Sequence, residues 1–162
     1  MTRALSPSLR RARSLALLVP AALLAGAWFS QLVGHLYPCE MCHWQRWPHY
    51  AALVVALAAF ALPGAARPLA CLAALLIAAS GAIGVFHAGV EWHWWPGITA
   101  CSSTVQASGT SAAERLDAIM RAPFVRCDQA QWRLAGVSLA GWNAVLSLAG
   151  AGVIAVLLRK RA

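Results

Sequence analysis

From Ser14 to Leu36 the chain reads SLALLVPAALLAGAWFSQLVGHL, with no Asp, Glu, Lys or Arg. A helix needs roughly 20 such residues to cross the hydrocarbon core of a bilayer, so the run reads as a membrane span. Three further uncharged runs, Trp47–Ala66, Pro68–Val90 and Leu134–Leu158, are long enough to do the same. The whole composition agrees: 60% of the residues are hydrophobic, and the 11% that are charged fall far below the roughly 25% of a soluble domain. The expectation is an all-α membrane protein, a four-transmembrane-helix bundle forming one domain over residues 1–162. Its spans are near 14–36, 47–66, 68–90 and 134–158, with loops near 37–46 and 91–133.

The cations orient this bundle. Net charge is +8, which could suggest nucleic acid, but Arg3, Arg10, Arg11, Arg13, Arg67, Arg159, Lys160 and Arg161 all fall on one side of a four-span chain. The positive-inside rule makes that side cytoplasmic, with both termini. The two loops on the far side hold five Arg against five acids, so no basic patch for nucleic acid remains. The Arg-rich start followed by Ala25-Gly26-Ala27 could also pass for a signal peptide. Its uncharged run exceeds the 7–15 residues of a signal core, however, and is read as a span.

Within the spans, Gly26, Gly81, Gly84, Gly141 and Gly150 are expected to let helices approach closely. In the second outer loop, Ser111-Ala112-Ala113-Glu114 reads as a capping box that opens a short helix. At 100° per residue Ala112, Ala113, Leu116, Ile119 and Met120 share one stripe, opposed by Glu114, Asp117 and Arg121, and Pro123 ends the element. Such a helix either lies in the membrane interface or packs on the protein's own loop.

The chemistry sits in the outer loops. Tyr37-Pro38-Cys39-Glu40-Met41-Cys42-His43-Trp44-Gln45-Arg46 interrupts the apolar pattern and carries a Cys-x-x-Cys pair at a membrane surface. That spacing closes a small disulfide ring, and a helix N-terminus or a cation nearby favours the thiolate that performs exchange. Cys101 and Cys127 lie in the other loop. In an oxidising compartment they could be a structural staple, or the second dithiol of an electron relay. Cys71, near the cytoplasmic end of the third span, is expected to be a buried structural thiol.

Cys39-x-x-Cys42-His43 also matches the c-type haem attachment signature. A haem would consume both thiols and leave Cys101, Cys127 and Arg46 without a role. A non-catalytic stapled membrane protein is the other alternative. Arg46, four residues after Cys42, can hold a thiolate and stabilise negative charge on a reduced acceptor; its bland reading is a snorkelling interfacial side chain. No G-x-G-x-x-G is present, and a lipid-soluble quinone is an acceptor that can reach a dithiol from within the membrane. Trp44 and Trp47 could flank its ring. His49, His87 and His93 read first as interface or packing residues, and of these His87 is the one placed to line such a pocket.

Pro38-Cys39-Glu40-Met41-Cys42 with Gln45-Arg46-Trp47-Pro48 closely resembles the disulfide bond formation protein B (DsbB) family of bacterial inner-membrane thiol oxidases. So do Phe86-His87-Ala88-Gly89-Val90-Glu91-Trp92 through Trp95-Pro96-Gly97 to Cys101, and Val125-Arg126-Cys127-Asp128 through Trp132-Arg133 to Ala140-Gly141-Trp142-Asn143. Met41 stands where many members have Leu. The resemblance implies a four-helix bundle in the bacterial inner membrane with both active loops periplasmic. It further implies that a Cys101–Cys127 disulfide accepts electrons from a reduced thioredoxin-like (DsbA-like) periplasmic thiol oxidase, with Cys101 forming the mixed disulfide. Cys127 then exchanges with Cys39. Cys42 is freed beside a quinone of the membrane pool, ubiquinone or menaquinone, which Arg46 and His87 help to bind.

Overall fold

The computed structural model describes residues 5–99, 102, 111–120 and 125–160. Four long helices form an antiparallel bundle: α1 (Pro7–Leu32), α2 (Glu40–Ala61), α3 (Ala66–Glu91) and α5 (Leu139–Arg159), with a short α4 (Ala112–Met120) between α3 and α5. α3 packs against α2 and α5, and α1 packs against α2, α3 and α5. Among the described residues three helices are long and apolar enough to cross a membrane: α1, α3 with the short turn before it, and α5. α2 is not one of them, because Glu40, His43, Gln45, Arg46 and His49 crowd its first three turns.

The helices begin and end where capping chemistry dictates, which differs from the limits of the uncharged runs. α1 starts at Pro7, ahead of Arg10, Arg11 and Arg13, because the Ser6 hydroxyl accepts the Leu9 N–H (3.3 Å) and Pro fits the first helical position. α2 starts at Glu40 with Cys39 as its N-cap, so residues 40–46, expected in a loop, are helical. Glu40 in that first turn suits the positive end of the helix dipole. α3 runs through Glu91 and closes with His93 at φ 58° while the Trp94 N–H reaches back to the Gly89 carbonyl (2.9 Å).

The fourth apolar run also starts later than its charge pattern implied. Arg133–Leu134 and Val137–Ser138 form a two-stranded antiparallel hairpin, and Ala135 and Gly136 turn it with φ 51° and 79°. Two consecutive positive φ values give the turn that matches strand twist. Only then does α5 begin, its first turn capped by the Ser138 hydroxyl accepting the Gly141 N–H (3.2 Å).

The lower half of the bundle packs through Ala12, Ala16, Ala52, Ala56, Ala70 and Ala73, with Ile77 and Ile154 filling the middle. Small side chains allow the close backbone approach that drives helix association where lipid is as apolar as the protein. Gly84 faces the α5 backbone, where a Cβ would come within 3.0 Å of the Ala140 carbonyl, while Gly81 and Gly150 receive Leu148 and Val19. Gly141 meets Val137 of the hairpin, and Gly26 faces open space. Large apolar side chains such as Leu18, Phe29, Val54, Leu75, Val145 and Val153 point outward, as they do in a bundle solvated by lipid.

Both chain ends meet at one end of the bundle. The Ser8 hydroxyl reaches the Lys160 carbonyl (3.4 Å), and Arg13 donates to the Ala59 carbonyl (3.5 Å) while lying over the Phe60 ring. Arg10, Arg11, Arg13, Arg67, Arg159 and Lys160 are therefore gathered there. Cys71, close to this end, is exposed on the outer face of α3, not buried. The helix after the capping box forms, with reciprocal bonds between Ser111 and Glu114 (3.1 and 3.2 Å). Leu116 and Met120 are exposed, so at those positions the stripe is not packed on the protein's own loops. Arg121 and Pro123 lie outside the described residues.

Candidate active site

The opposite end collects the cysteines. As N-cap of α2, Cys39 accepts the Cys42 N–H at its sulfur (3.4 Å), and one turn of helix brings the two sulfurs to 3.0 Å. A disulfide needs about 2.05 Å, so this pair is a dithiol, and both thiols are free. Cys127 is fully buried and disulfide-bonded. It packs in one cluster with Cys39, Met41 and Val90. Cys101, its expected partner, lies outside the described residues.

The two sulfurs of the dithiol are not equivalent. The hydrogen bond to Cys42, then burial, push the Cys39 thiol far above its ordinary value. That same hydrogen bond holds Cys42 below its ordinary value, with smaller help from the Cys39 backbone and the Arg46 charge, against burial and Glu91. Of the two, Cys39 holds its proton the more firmly, and Cys42 is the sulfur that ionises first.

Their surroundings differ as well. Cys39 faces His87, whose Nε2 is 3.6 Å from the Cys39 sulfur and 3.2 Å from the Cys127 carbonyl. Cys42 borders a cavity of about 310 Å³ between α1, α2 and α5. Gly26, Ala27 and Ser30 form its α1 wall, Gln45, Arg46 and His49 continue the α2 wall, and Ala140, Trp142 and Asn143 close it from α5. The missing side chain of Gly26 helps to open this space instead of tightening a helix contact. Arg46 is buried and pinned toward α1, donating to Gln31 Oε1 (2.8 Å) and the Ala27 carbonyl (3.2 Å) above the Trp28 ring. This is not the posture of a snorkelling side chain.

Beneath the thiols runs a polar chain that links three helices, and two backbone carbonyls fix its proton positions. A carbonyl only accepts. Gln45 therefore presents its nitrogen to the Met41 carbonyl (3.3 Å) and with it donates to His87 Nδ1 (2.8 Å). Its oxygen is left to accept from Asn143 Nδ2 (2.9 Å). Asn143 in turn directs that nitrogen at the Ser80 carbonyl (3.3 Å) and its oxygen at His49 Nε2 (3.0 Å). The Ser80 hydroxyl, spent on the Gln45 carbonyl (2.7 Å), accepts at its oxygen from His49 Nε2 (2.9 Å). Both imidazoles thus carry their proton on Nε2.

For His87 this means a donor aimed at Cys39 and the Cys127 carbonyl. The Cys39, Cys42 and His87 atoms lie within 4.8 Å of one another, close enough to share an ion. The tautomer that Gln45 imposes nevertheless makes Nε2 a donor, not a ligand.

The structure brings Cys39, Cys42, Arg46, His87 and Cys127 to one end of the bundle. His87 lines a smaller cleft with Cys39, Cys42, Arg46 and Glu91, and does not border the larger cavity. Trp44 and Trp47 line neither; Trp47 is 68% exposed, and the aromatic walls come from Trp142 and Trp132. Sequence reasoning passed over Gln45, Ser80, Asn143 and Ser147, and it took His49 for an interface or packing residue. The available signal was polar side chains at helical spacing leading into the second apolar run, Cys42, Gln45, Arg46 and His49, because such groups are costly in lipid and face a bundle interior. One further bond ties the two loops over the site, Gln131 donating to the Tyr37 carbonyl (2.7 Å), and within the second loop Arg126 forms a forked ion pair with Asp128.

No curated protein and no solved structure gives a significant match to the chain. The family model described as disulfide bond formation protein DsbB matches residues 9–157, which take in all but the outer ends of α1 and α5 and include both cysteine segments. The chain belongs to the DsbB family, and is a membrane thiol oxidoreductase of the disulfide-generating kind.

Proposed function

We propose that this protein reoxidises a reduced thioredoxin-like (DsbA-like) periplasmic thiol oxidase and passes the electrons to a membrane quinone, ubiquinone or menaquinone. A partner thiolate attacks Cys101 of a Cys101–Cys127 disulfide, forming a mixed disulfide and releasing Cys127. The partner's second thiolate resolves that bond and leaves oxidised. Cys127 attacks Cys39 of a Cys39–Cys42 disulfide, freeing Cys42. When Cys101 displaces Cys39 from Cys127, the first pair is left reduced, as a dithiol. That dithiol then gives two electrons and two protons to the quinone and closes again.

What carries the reading is the asymmetry of the Cys39/Cys42 pair. Cys39 is buried in the cluster that holds Cys127, and of the two only Cys42 also borders the cavity walled by a buried arginine. Arg46 would bind a quinone oxygen by charge-assisted hydrogen bonds, and His87 would act on the Cys39 side. The chain would form one four-span domain of the bacterial inner membrane, termini cytoplasmic and active loops periplasmic, with the exposed stripe of α4 in the interface. Quinone-dependent reoxidation of a reduced thioredoxin-like partner by the purified full chain tests it. Reoxidation at the same rate without quinone would reject it.

A further inference from the structure

His49 is 2% exposed, and its two ring nitrogens are treated very differently. Nε2 donates into the cluster of Asn143, Ser80 and Ser147 (3.0, 2.9 and 3.3 Å). Nδ1 is buried with no hydrogen-bond partner. Because the proton is on Nε2, Nδ1 offers a lone pair, and a buried acceptor left unmade is costly. His49 also lines the 310 Å³ cavity that Cys42 and Arg46 border. A hydrogen-bond donor on whatever fills that cavity would supply the missing partner.

Cys42, Arg46 and His49 succeed one another at spacings of four and three residues, which places them along one face of α2. Arg46 and His49 are separated by about 4.5 Å of helix rise, comparable with the width of a six-membered ring. The two residues ask for opposite partners, since Arg46 only donates and neutral His49 Nδ1 only accepts. An oxidised quinone ring carries two acceptor oxygens and satisfies Arg46 alone. A hydroquinone carries two hydroxyls; one oxygen can still accept from Arg46, and the other hydroxyl can donate to His49.

We infer that His49 is a positioning residue that holds one hydroxyl of the reduced ring, so that the cavity binds hydroquinone more tightly than quinone. The inference rests on the quinone reading above and deepens it. The balance is closed without His49: Cys39 and Cys42 lose two electrons and two protons in becoming a disulfide, and the ring gains both. His49 begins and ends neutral. Its effect is to favour the reduced ring and so to draw electrons from the dithiol.

Two substitutions separate this role from a structural one. His49→Gln places an amide nitrogen where Nε2 lies and keeps the bonds to Asn143 and Ser80, but removes the acceptor at Nδ1. His49→Asn keeps an acceptor near Nδ1 and loses the Nε2 donor. Decylubiquinone and decylubiquinol are titrated against the full chain in detergent micelles, in a Cys39→Ser background that blocks electron transfer, with tryptophan quenching as the readout. His49→Gln is expected to weaken decylubiquinol about tenfold, the worth of one hydrogen bond, with decylubiquinone unchanged within about twofold. His49→Asn is expected to retain the preference for the reduced ring. Equal weakening of both rings, or loss of the preference in His49→Asn with His49→Gln intact, would overturn the inference and leave His49 a packing residue. Failure of either ring to bind the parent would overturn the quinone reading itself, and this inference with it.

Discussion

The two ends of the bundle are made by the same four helices and held together by opposite means. Toward the chain termini, alanines from α1, α2, α3 and α5 meet at van der Waals distance. Toward the cysteines, Gln45, His49, Ser80, His87, Asn143 and Ser147 cross-link α2, α3 and α5 by hydrogen bonds. Alanine packing is tolerant of sliding and carries no direction. A hydrogen-bonded chain whose donors and acceptors are directed from Gln45 through Asn143 and Ser80 fixes side-chain orientation, and reactive groups need that. The division of labour places rigidity of position where the sulfurs are and plain adhesion where they are not.

The sharpest way to break this contrast is to remove sulfur from each end. Cys101→Ser should reduce partner turnover to background while the Cys39/Cys42 pair still responds to quinone. Cys127→Ser should let a Cys101–partner mixed disulfide accumulate on a non-reducing gel. A partner caught on Cys39 instead would reverse the proposed order. Cys71→Ser, at the alanine end and exposed, should leave turnover unchanged in the same assay.

Arg46 comes next. Arg46→Ala should raise the Michaelis constant for quinone at least about tenfold, the worth of a charge-assisted bond, with little change for the thiol partner. Arg46→Lys should do less, because it keeps charge but loses the fork. Steady-state kinetics with each substrate varied in turn would show the split, and a change confined to the thiol partner would make Arg46 a purely structural link to Gln31.

A pair of stability variants sharpens the comparison further. Asn143→Leu strips bonds to Gln45, Ser80 and His49, and at the modest worth of hydrogen bonds inside membranes should cost roughly 2 kcal/mol. Ala56→Leu overfills the alanine end and should cost about 1–3 kcal/mol. The costs are similar, but only Asn143→Leu should also impair quinone binding. Unfolding in mixed micelles and quinone titration, read together, distinguish the two ends.

The smallest effect is a shift in reactivity. Since Cys39 holds its proton the more firmly, iodoacetamide should modify Cys42 first, with a pH midpoint below the ordinary thiol value of about 8.5. As pH falls through the lowered Cys42 value the thiolate is protonated and labelling stops. Arg46→Ala should move that midpoint upward, and mass spectrometry of labelled peptides would identify the reacting sulfur.

Much of this was legible in the chain. Uncharged length marks the apolar helices, the placement of the arginines predicts that both termini share an end, and Ser111 with Glu114 announces α4. The hairpin at 133–138 was hidden because Leu134, Ala135, Gly136 and Val137 are as uncharged as a span; only a turn at Ala135-Gly136 separates them from α5. The start of α1 was hidden for the converse reason, since charge limits where a helix meets hydrocarbon and not where it begins. Cys71 was misplaced because an apolar face toward lipid and one toward the core carry the same residues. The site's sulfurs and Arg46 were readable from spacing. The proton assignments of His49 and His87 were not, for they follow from contacts among three helices far apart in sequence.

In the proposed relay Cys39 is the sulfur that Cys127 attacks, and it is also the cap of α2, accepting the Cys42 N–H. When that sulfur bonds to another cysteine it must turn toward its new partner, and the first turn of α2 is left without its stopper until the bond is resolved. Each cycle of that proposed relay would therefore carry a small mechanical stroke, an unfastening and refastening of one helix end. The turn that loosens is the one bearing Cys42, so the sulfur facing the acceptor gains freedom to move at the stage when it has been released.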